Sequence, residues 1–138
     1  MRILGLDYGD CRIGVAISDP MGWIAQGIDT ISYKGDITYA LREICEIVKT
    51  YGVSRIVVGF PINMNATIGQ RGKKTQEFID MLLSCVDAEI IKWDERLTTV
   101  SSHKLIRETG RKPSKNKELV DKIAAVYILQ SYLDSIAK

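Results

Sequence analysis

Apolar and polar positions divide this chain into short blocks with two different periods. Residues 2–8 (RILGLDY) and 11–18 (CRIGVAIS) are apolar runs separated by Gly9 and Asp10, which predicts two strands joined by a tight turn. After a loop with Pro20 and Gly22, residues 24–33 (IAQGIDTISY) predict a third strand. The period then changes. Leu41, Ile44 and Val48 recur at helical spacing, behind Asp36 as N-cap and ahead of Gly52, which is placed to end the helix. Residues 54–60 (SRIVVGF) are a short run rich in β-branched side chains, the pattern of a strand buried on both faces. A polar loop leads to a helix over about 70–86 with Phe78, Leu82 and Cys85 inward. Residues 88–93 (AEIIKW) predict a fifth strand. Helices over 99–108 and 117–134 follow, separated by a basic loop with Gly110 and Pro113.

The order β-β-β-α-β-α-β-α-α predicts an α/β fold. Its sheet is mixed and five-stranded, with three meandering antiparallel strands, then two parallel ones, flanked by helices. No repeat, low-complexity tract or Pro/Gly/Ser-rich linker interrupts the pattern. The 138 residues are therefore expected to form one domain, 1–138, large enough to bury a core without staples.

Composition adds little. Hydrophobic residues at 46% and charged residues at 26% are ordinary for a globular protein, and a net charge of +2 names no partner. Cys11, Cys45 and Cys85 are far apart, an odd set with no Cys-x-x-Cys, which argues against a disulfide framework. All three lie in apolar stretches and read as small hydrophobes in a reducing compartment. Asp7 interrupts the first apolar run, so that run is not a secretory signal. No stretch approaches the roughly 20 apolar residues of a membrane helix. A cytoplasmic protein with no membrane partner is expected.

Three acids stand against the apolar pattern. In the first strand Ile3, Gly5 and Asp7 share one face, so Asp7 ends a buried element, where a carboxylate must be paired, hydrogen-bonded or metal-bound. A turn residue bonded to nearby backbone N–H groups explains Asp7 equally well from this segment alone. On the last helix Asp121, Ala125, Ile128 and Tyr132 form one stripe, with Ala124 beside it. Favourable charge near a helix N-terminus would explain an acid there, but not its place on the inward stripe. The paired alanines let this helix lie close to a sheet. Asp94 and Glu95 end the fifth strand, the position where α/β sheets usually carry chemistry. Alternation puts Glu95 on the side of Trp93 and Ile91, which favours Glu95 as the ligand; Asp94 or a threonine would then cap the next helix. Oxygen ligands without a His or Cys cluster suit Mg²⁺ or Mn²⁺ rather than zinc. Such a centre hydrolyses phosphodiesters without a general-base histidine. The lone histidine, His103, falls among polar residues and reads as surface.

Four segments in order resemble the YqgF family, also called RuvX-like, of the RNase H-like superfamily. They are Gly5-Leu6-Asp7-Tyr8-Gly9 with Arg12-Ile13-Gly14-Val15-Ala16; Val58-Gly59-Phe60-Pro61 leading to Thr67, Gly69 and Gln70; Asp94-Glu95-Arg96-Leu97-Thr98-Thr99; and Asp121-Lys122-Ile123-Ala124-Ala125 running on to Leu133. The resemblance covers essentially the whole chain. It implies an RNase H-like fold similar to Holliday junction resolvases. It also implies a nuclease that processes the 5′ end of pre-16S ribosomal RNA, with Asp7, Glu95 and Asp121 as catalytic acids. One segment departs from the family: the loop that often reads Met-Asp-Gly-Thr is Met64-Asn65-Ala66-Thr67 here. The change removes an acid and a flexible glycine from that loop and leaves the three acids in place.

Local charge fits a polyanionic partner. Lys104, Arg107, Arg111, Lys112, Lys115, Lys117 and Lys122 cluster before and within the last helix, offset by Glu108, Glu118 and Asp121. A solvated Lys-rich loop is the plain alternative. Arg71, Lys73 and Lys74 form a smaller group, while Arg12 and Arg96 flank the acids. The nucleic-acid contacts expected are thus Arg12, Arg71, Lys73, Arg96, Arg111, Lys112, Lys115 and Lys117. Tyr8 points away from Asp7 and is expected to pack. RNA, ribosomal particles or branched DNA are the candidate partners. A symmetric resolvase should dimerise, and no dimer face is evident, so a monomer or weak dimer is expected. A noncatalytic ribosome-assembly binder is the competing reading. An actin-like or sugar-kinase ATPase would need a second lobe that the chain lacks.

Overall fold

Strand β1 (Arg2–Tyr8) is apolar on both faces, and the architecture follows from covering them. A computed structural model describes residues 2–62, 65, 67–94 and 117–137. Around β1 lie β2 (Arg12–Ser18), β3 (Ala25–Ser32), β4 (Val53–Phe60) and β5 (Glu89–Asp94), in the sheet order β3-β2-β1-β4-β5. The pairs β1–β2 and β2–β3 are antiparallel, whereas β1–β4 and β4–β5 are parallel. The predicted mixed sheet is the observed one.

Leu4, Leu6, Val15, Ile56 and Val58 point to one face. There they pack with Ala40 and Ile44 of α1 (Ile37–Tyr51) and with Phe78, Ile79 and Leu82 of α2 (Gln70–Leu83). Asp36 caps α1 by accepting from the Tyr39 N–H, and Gly52 ends it at φ 63°, a conformation glycine adopts without strain. Tyr8 stacks on Phe78 with ring centroids 4.6 Å apart, the packing role expected of it. On the other face Ile3, Ala16 and Val57 pack against Ala125, Ile128, Leu129 and Tyr132 of α3 (Lys117–Ile136).

That second face is lined with small residues, and α3 lies almost on the backbone. A Cβ added to Gly5 would stand 2.7 Å from Leu129 Cβ, and one added to Gly14 only 1.9 Å from the Asp121 carbonyl oxygen. Such close approach buries an apolar helix stripe with few side chains intervening.

Two expectations need correction. Cys85 is not an inward helical residue. The helix ends at Leu83, where Ser84 N–H donates to Met81 O, and the chain turns outward. Cys85 and Cys11 are exposed and Cys45 is half-buried, because two of the three lie in surface turns despite apolar neighbours in sequence. The expected helix over 99–108 lies outside the described residues. Among the described residues no helix is long and apolar enough to cross a membrane.

Candidate functional site

Strand direction brings the chemistry to one edge of the sheet. The carboxyl ends of β1, β4 and β5 lie together because the three are parallel, and β2 begins where β1 ends. Asp7 is there, paired in register with Gly14. By alternation from Gly5, its side chain is on the α3 face. Gly14 is the residue on which the Asp121 backbone rests. The register and the close contact therefore bring Asp7 and Asp121 to the same face of the same edge.

Asp121 is held firmly. Arg12 Nε donates to its Oδ2 at 2.6 Å, in a salt bridge whose side chains are 30% and 21% exposed. The bond is short and charge-assisted, and the pair stays partly open to water. The same hydrogen bond raises the Arg12 pKa above its ordinary value. The helix around Asp121 is anchored to the sheet as well. Thr30 Oγ1 donates to Glu118 O at 2.7 Å, and Gln130 accepts from the Ala25 N–H at 2.9 Å.

The turn after Asp7 is braced from below. Gly9 N–H donates to Arg12 O at 2.9 Å, the Tyr33 hydroxyl donates to Gly9 O, and Tyr33 N–H donates to Cys11 O at 3.0 Å. Burial, then the hydrogen bond with Tyr8, pushes the Tyr33 phenol well above its usual range. Tyr33 thus stays neutral as a donor to the turn.

At the end of β5, Trp93 stands on the α3 face, where its indole N–H donates to Ser131 Oγ at 3.1 Å. Asp94 pairs in register with Phe60 and falls on the opposite face. Glu95 lies outside the described residues, as do His103, Arg96, Arg111, Lys112 and Lys115. Arg71 and Lys73 are exposed on the first turn of α2. A Lys74–Asp10 contact of 3.7 Å holds that turn beside the β1–β2 turn. Lys117 is exposed at the start of α3.

The donor set can be tested against a divalent cation. Asp7 and Asp121 offer carboxylate oxygens, half-buried and on one face, which is the chemistry that Mg²⁺ or Mn²⁺ prefers. Among the described residues no group of three or more His, Cys, Asp or Glu side chains could hold a metal, and the third expected donor, Glu95, lies outside them. The two acids are donors of the kind such an ion takes, with Asp121 Oδ2 also accepting from Arg12; a complete set needs a further oxygen.

Sequence reasoning missed the Arg12–Asp121 bond and the role of Gly14. The only trace of the latter was small residues, Gly5, Gly14 and Ala16, at alternating strand positions opposite Ala124 and Ala125.

Comparison with known proteins gives the family and the fold. Residues 1–135 match the family model described as RuvX, Holliday junction resolvase. A protein of Acetivibrio thermocellus named "Putative pre-16S rRNA nuclease" is 58% identical over 139 aligned positions, covering 100% of this chain and 99% of that protein. A Ruminiclostridium cellulolyticum protein of the same name is 56% identical, covering 99% and 96% of the two chains. Among solved structures, T. thermophilus RuvC in complex with a Holliday junction substrate superposes with a TM-score of 0.62 at 10% identity. That match covers 99% of this chain and 96% of the other, a likeness of fold.

Proposed function

Because this chain belongs to the RuvX family, we propose that it is a metal-dependent nuclease that hydrolyses phosphodiester bonds at the 5′ end of pre-16S rRNA. The observation that carries this reading is the meeting of Asp7 and Asp121 on one face of one sheet edge, with Gly14 beneath. Its substrate comes from the relatives, each named "Putative pre-16S rRNA nuclease" and matched over nearly its full length.

In this reading Asp7, Glu95 and Asp121 hold Mg²⁺ or Mn²⁺. Bound there, such an ion would supply Lewis-acid activation of water and charge stabilisation at the leaving oxygen. The chain's own residues do the rest. Arg12 fixes the Asp121 carboxylate in one orientation, and the bond from Thr30 to Glu118 keeps the first turns of α3 seated on β3. The Tyr33 and Arg12 contacts hold the turn that follows Asp7, so that acid is presented on rigid backbone. Arg71, Lys73 and Lys117, with Arg96, Arg111, Lys112 and Lys115, supply cations for the phosphate backbone. A cytoplasmic protein acting on ribosomal precursors, as a monomer or weak dimer, completes the reading.

The test incubates the protein with end-labelled precursor and mature rRNA fragments and a four-way DNA junction. Each is run with Mn²⁺, Mg²⁺ or EDTA, beside Asp7→Asn. Metal-dependent cutting of the precursor that vanishes in the variant is the expected result. Cutting of the junction alone would make the chain a DNA resolvase. Binding of RNA without cutting would make it an assembly factor.

A further inference from the structure

Next to the acids, on the β3 side, the structure has a groove of about 750 Å³ between the sheet edge and the start of α3. Arg12, Lys34, Lys117 and Lys122 line it, against Asp29 and Glu118. The four cations come from separate parts of the chain: β2, the β3–α1 turn and the first two turns of α3. Among the described residues Lys34, Lys117 and Lys122 form no ion pair. No acid among the described residues therefore neutralises the lysines by contact.

Lys34 is the telling residue. It has φ 48°, the one non-glycine among the described residues with positive φ, and Gly35 follows at φ 85°. A lysine in that conformation carries a backbone cost that glycine would avoid, so glycine can replace it without disturbing the turn. The turn is also pinned, because Lys34 N–H and Tyr33 N–H both donate to Cys11 O. Lys122 lies over Gly27, where an added Cβ would meet its Cγ at 2.6 Å, so its stem runs along β3.

We propose that this groove binds the phosphodiester backbone of the substrate strand beside the catalytic acids, with Lys34, Lys117 and Lys122 as phosphate contacts. The proposal rests on the nuclease reading and names a subsite for it. Arg12 joins the two places, since its guanidinium lines the groove and bonds Asp121. The start of a 20-residue helix adds positive potential at the same point. A protein partner is disfavoured by the lining. Among the described residues that line it, Leu119 is the one large apolar side chain, and none is aromatic or Met to anchor an interface core. Spaced cations along an open channel suit a polymer with regularly spaced charge.

The test uses the double variant Lys34→Gly, Lys117→Gln in an Asp7→Asn background, so that bound RNA stays intact. Neither change threatens the fold: the first relieves a strained φ, and the second removes a cation from a helix N-terminus. Fluorescence anisotropy of a labelled single-stranded RNA is followed across a salt series, with a four-way DNA junction and a polyglutamate peptide as parallel ligands. Each phosphate contact contributes about 0.7 to the slope of log affinity against log salt for single strands, so the slope should fall by about 1.4. Affinity at low salt should drop roughly tenfold. A reduced slope on the junction alone still supports a phosphodiester subsite and assigns it to DNA. An unchanged slope on both nucleic acids overturns the proposal, and lost polyglutamate binding beside it would assign the groove to an acidic protein. Cleavage by the chain with Asp7 intact is scored separately. An unchanged slope with cleavage preserved refutes the groove alone. A reduced slope with no cleavage of any substrate removes the nuclease and keeps the groove.

Discussion

Arg12 and Asp121 are 109 positions apart in the chain, yet Arg12 Nε donates to Asp121 Oδ2 at 2.6 Å. The bond joins β2 to α3 at the sheet edge where Asp7 stands. Arg12→Met keeps the aliphatic stem and removes the charge. Stability should fall by only about 1 kcal/mol, since the pair is partly exposed and water takes over some of its role. Cleavage should fall far more, roughly 100-fold, because a carboxylate freed to turn is misplaced for most of the time. Urea denaturation and single-turnover cleavage check the two halves. A loss of stability matching the loss of rate would reduce Arg12 to a structural brace.

Gly14→Ala tests the floor beneath the acids. The added Cβ would stand 1.9 Å from the Asp121 carbonyl oxygen and 2.4 Å from its carbon. Those are backbone atoms that no rotamer change can move aside, so the helix itself must lift. Overpacking of this kind costs roughly 1–3 kcal/mol, and Asp121 moves with the helix. The expected outcome is a lower urea midpoint together with lost metal-dependent cleavage. A variant with wild-type stability and rate would show that α3 can stand off from β2.

These two residues also show what could be read in advance. Asp7 and Asp121 stood out because each put a charge on an otherwise apolar face, and periodicity is local. Arg12 was read only as a nucleic-acid contact and the packing at Gly14 not at all, because their partners sit on a helix that arrives more than 100 residues later. The sequence of strands and helices was legible for the same local reason, through short runs with turn residues between them. Cys85 was misplaced because helical periodicity was extended past Leu83, where the backbone bonds of Ser84 and Cys85 close a turn instead. Lys34 left no signal at all. Its positive φ comes from the turn that Cys11 O holds.

The Tyr33 phenol sets an alkaline limit. Its pKa is raised in the folded chain, chiefly by burial, relative to about 10 in the unfolded one. Between those values the unfolded chain has lost the proton and the folded chain keeps it. The contribution is therefore fully present below pH about 10 and is lost as pH rises beyond it. Tyr33→Phe should flatten that alkaline decline of the melting temperature. It should also lower stability at neutral pH, because the Gly9 carbonyl loses its donor. An unchanged alkaline arm would mean that another group sets it.

Asp7→Asn and Asp121→Asn separate charge from shape. Each replacement keeps nearly the same volume, so the fold should survive. Without divalent ions Asp7→Asn should still unfold in one cooperative transition, which calorimetry checks. For Asp121→Asn the melting temperature should fall, because the Arg12 partner loses its charge. Adding Mn²⁺ discriminates more sharply. A ligand that binds only the folded state stabilises it by about 2.7 kcal/mol at 100 times its Kd. The wild type should therefore gain melting temperature across a Mn²⁺ titration, and both variants should gain little, since each lacks an anionic oxygen donor. Cleavage should fall by a factor of 100 or more in each, in line with the several kcal/mol that a metal centre supplies to the transition state. An equal Mn²⁺ gain in Asp7→Asn would take Asp7 out of the metal set and leave the family's chemistry to be sought at Asp121 with Glu95.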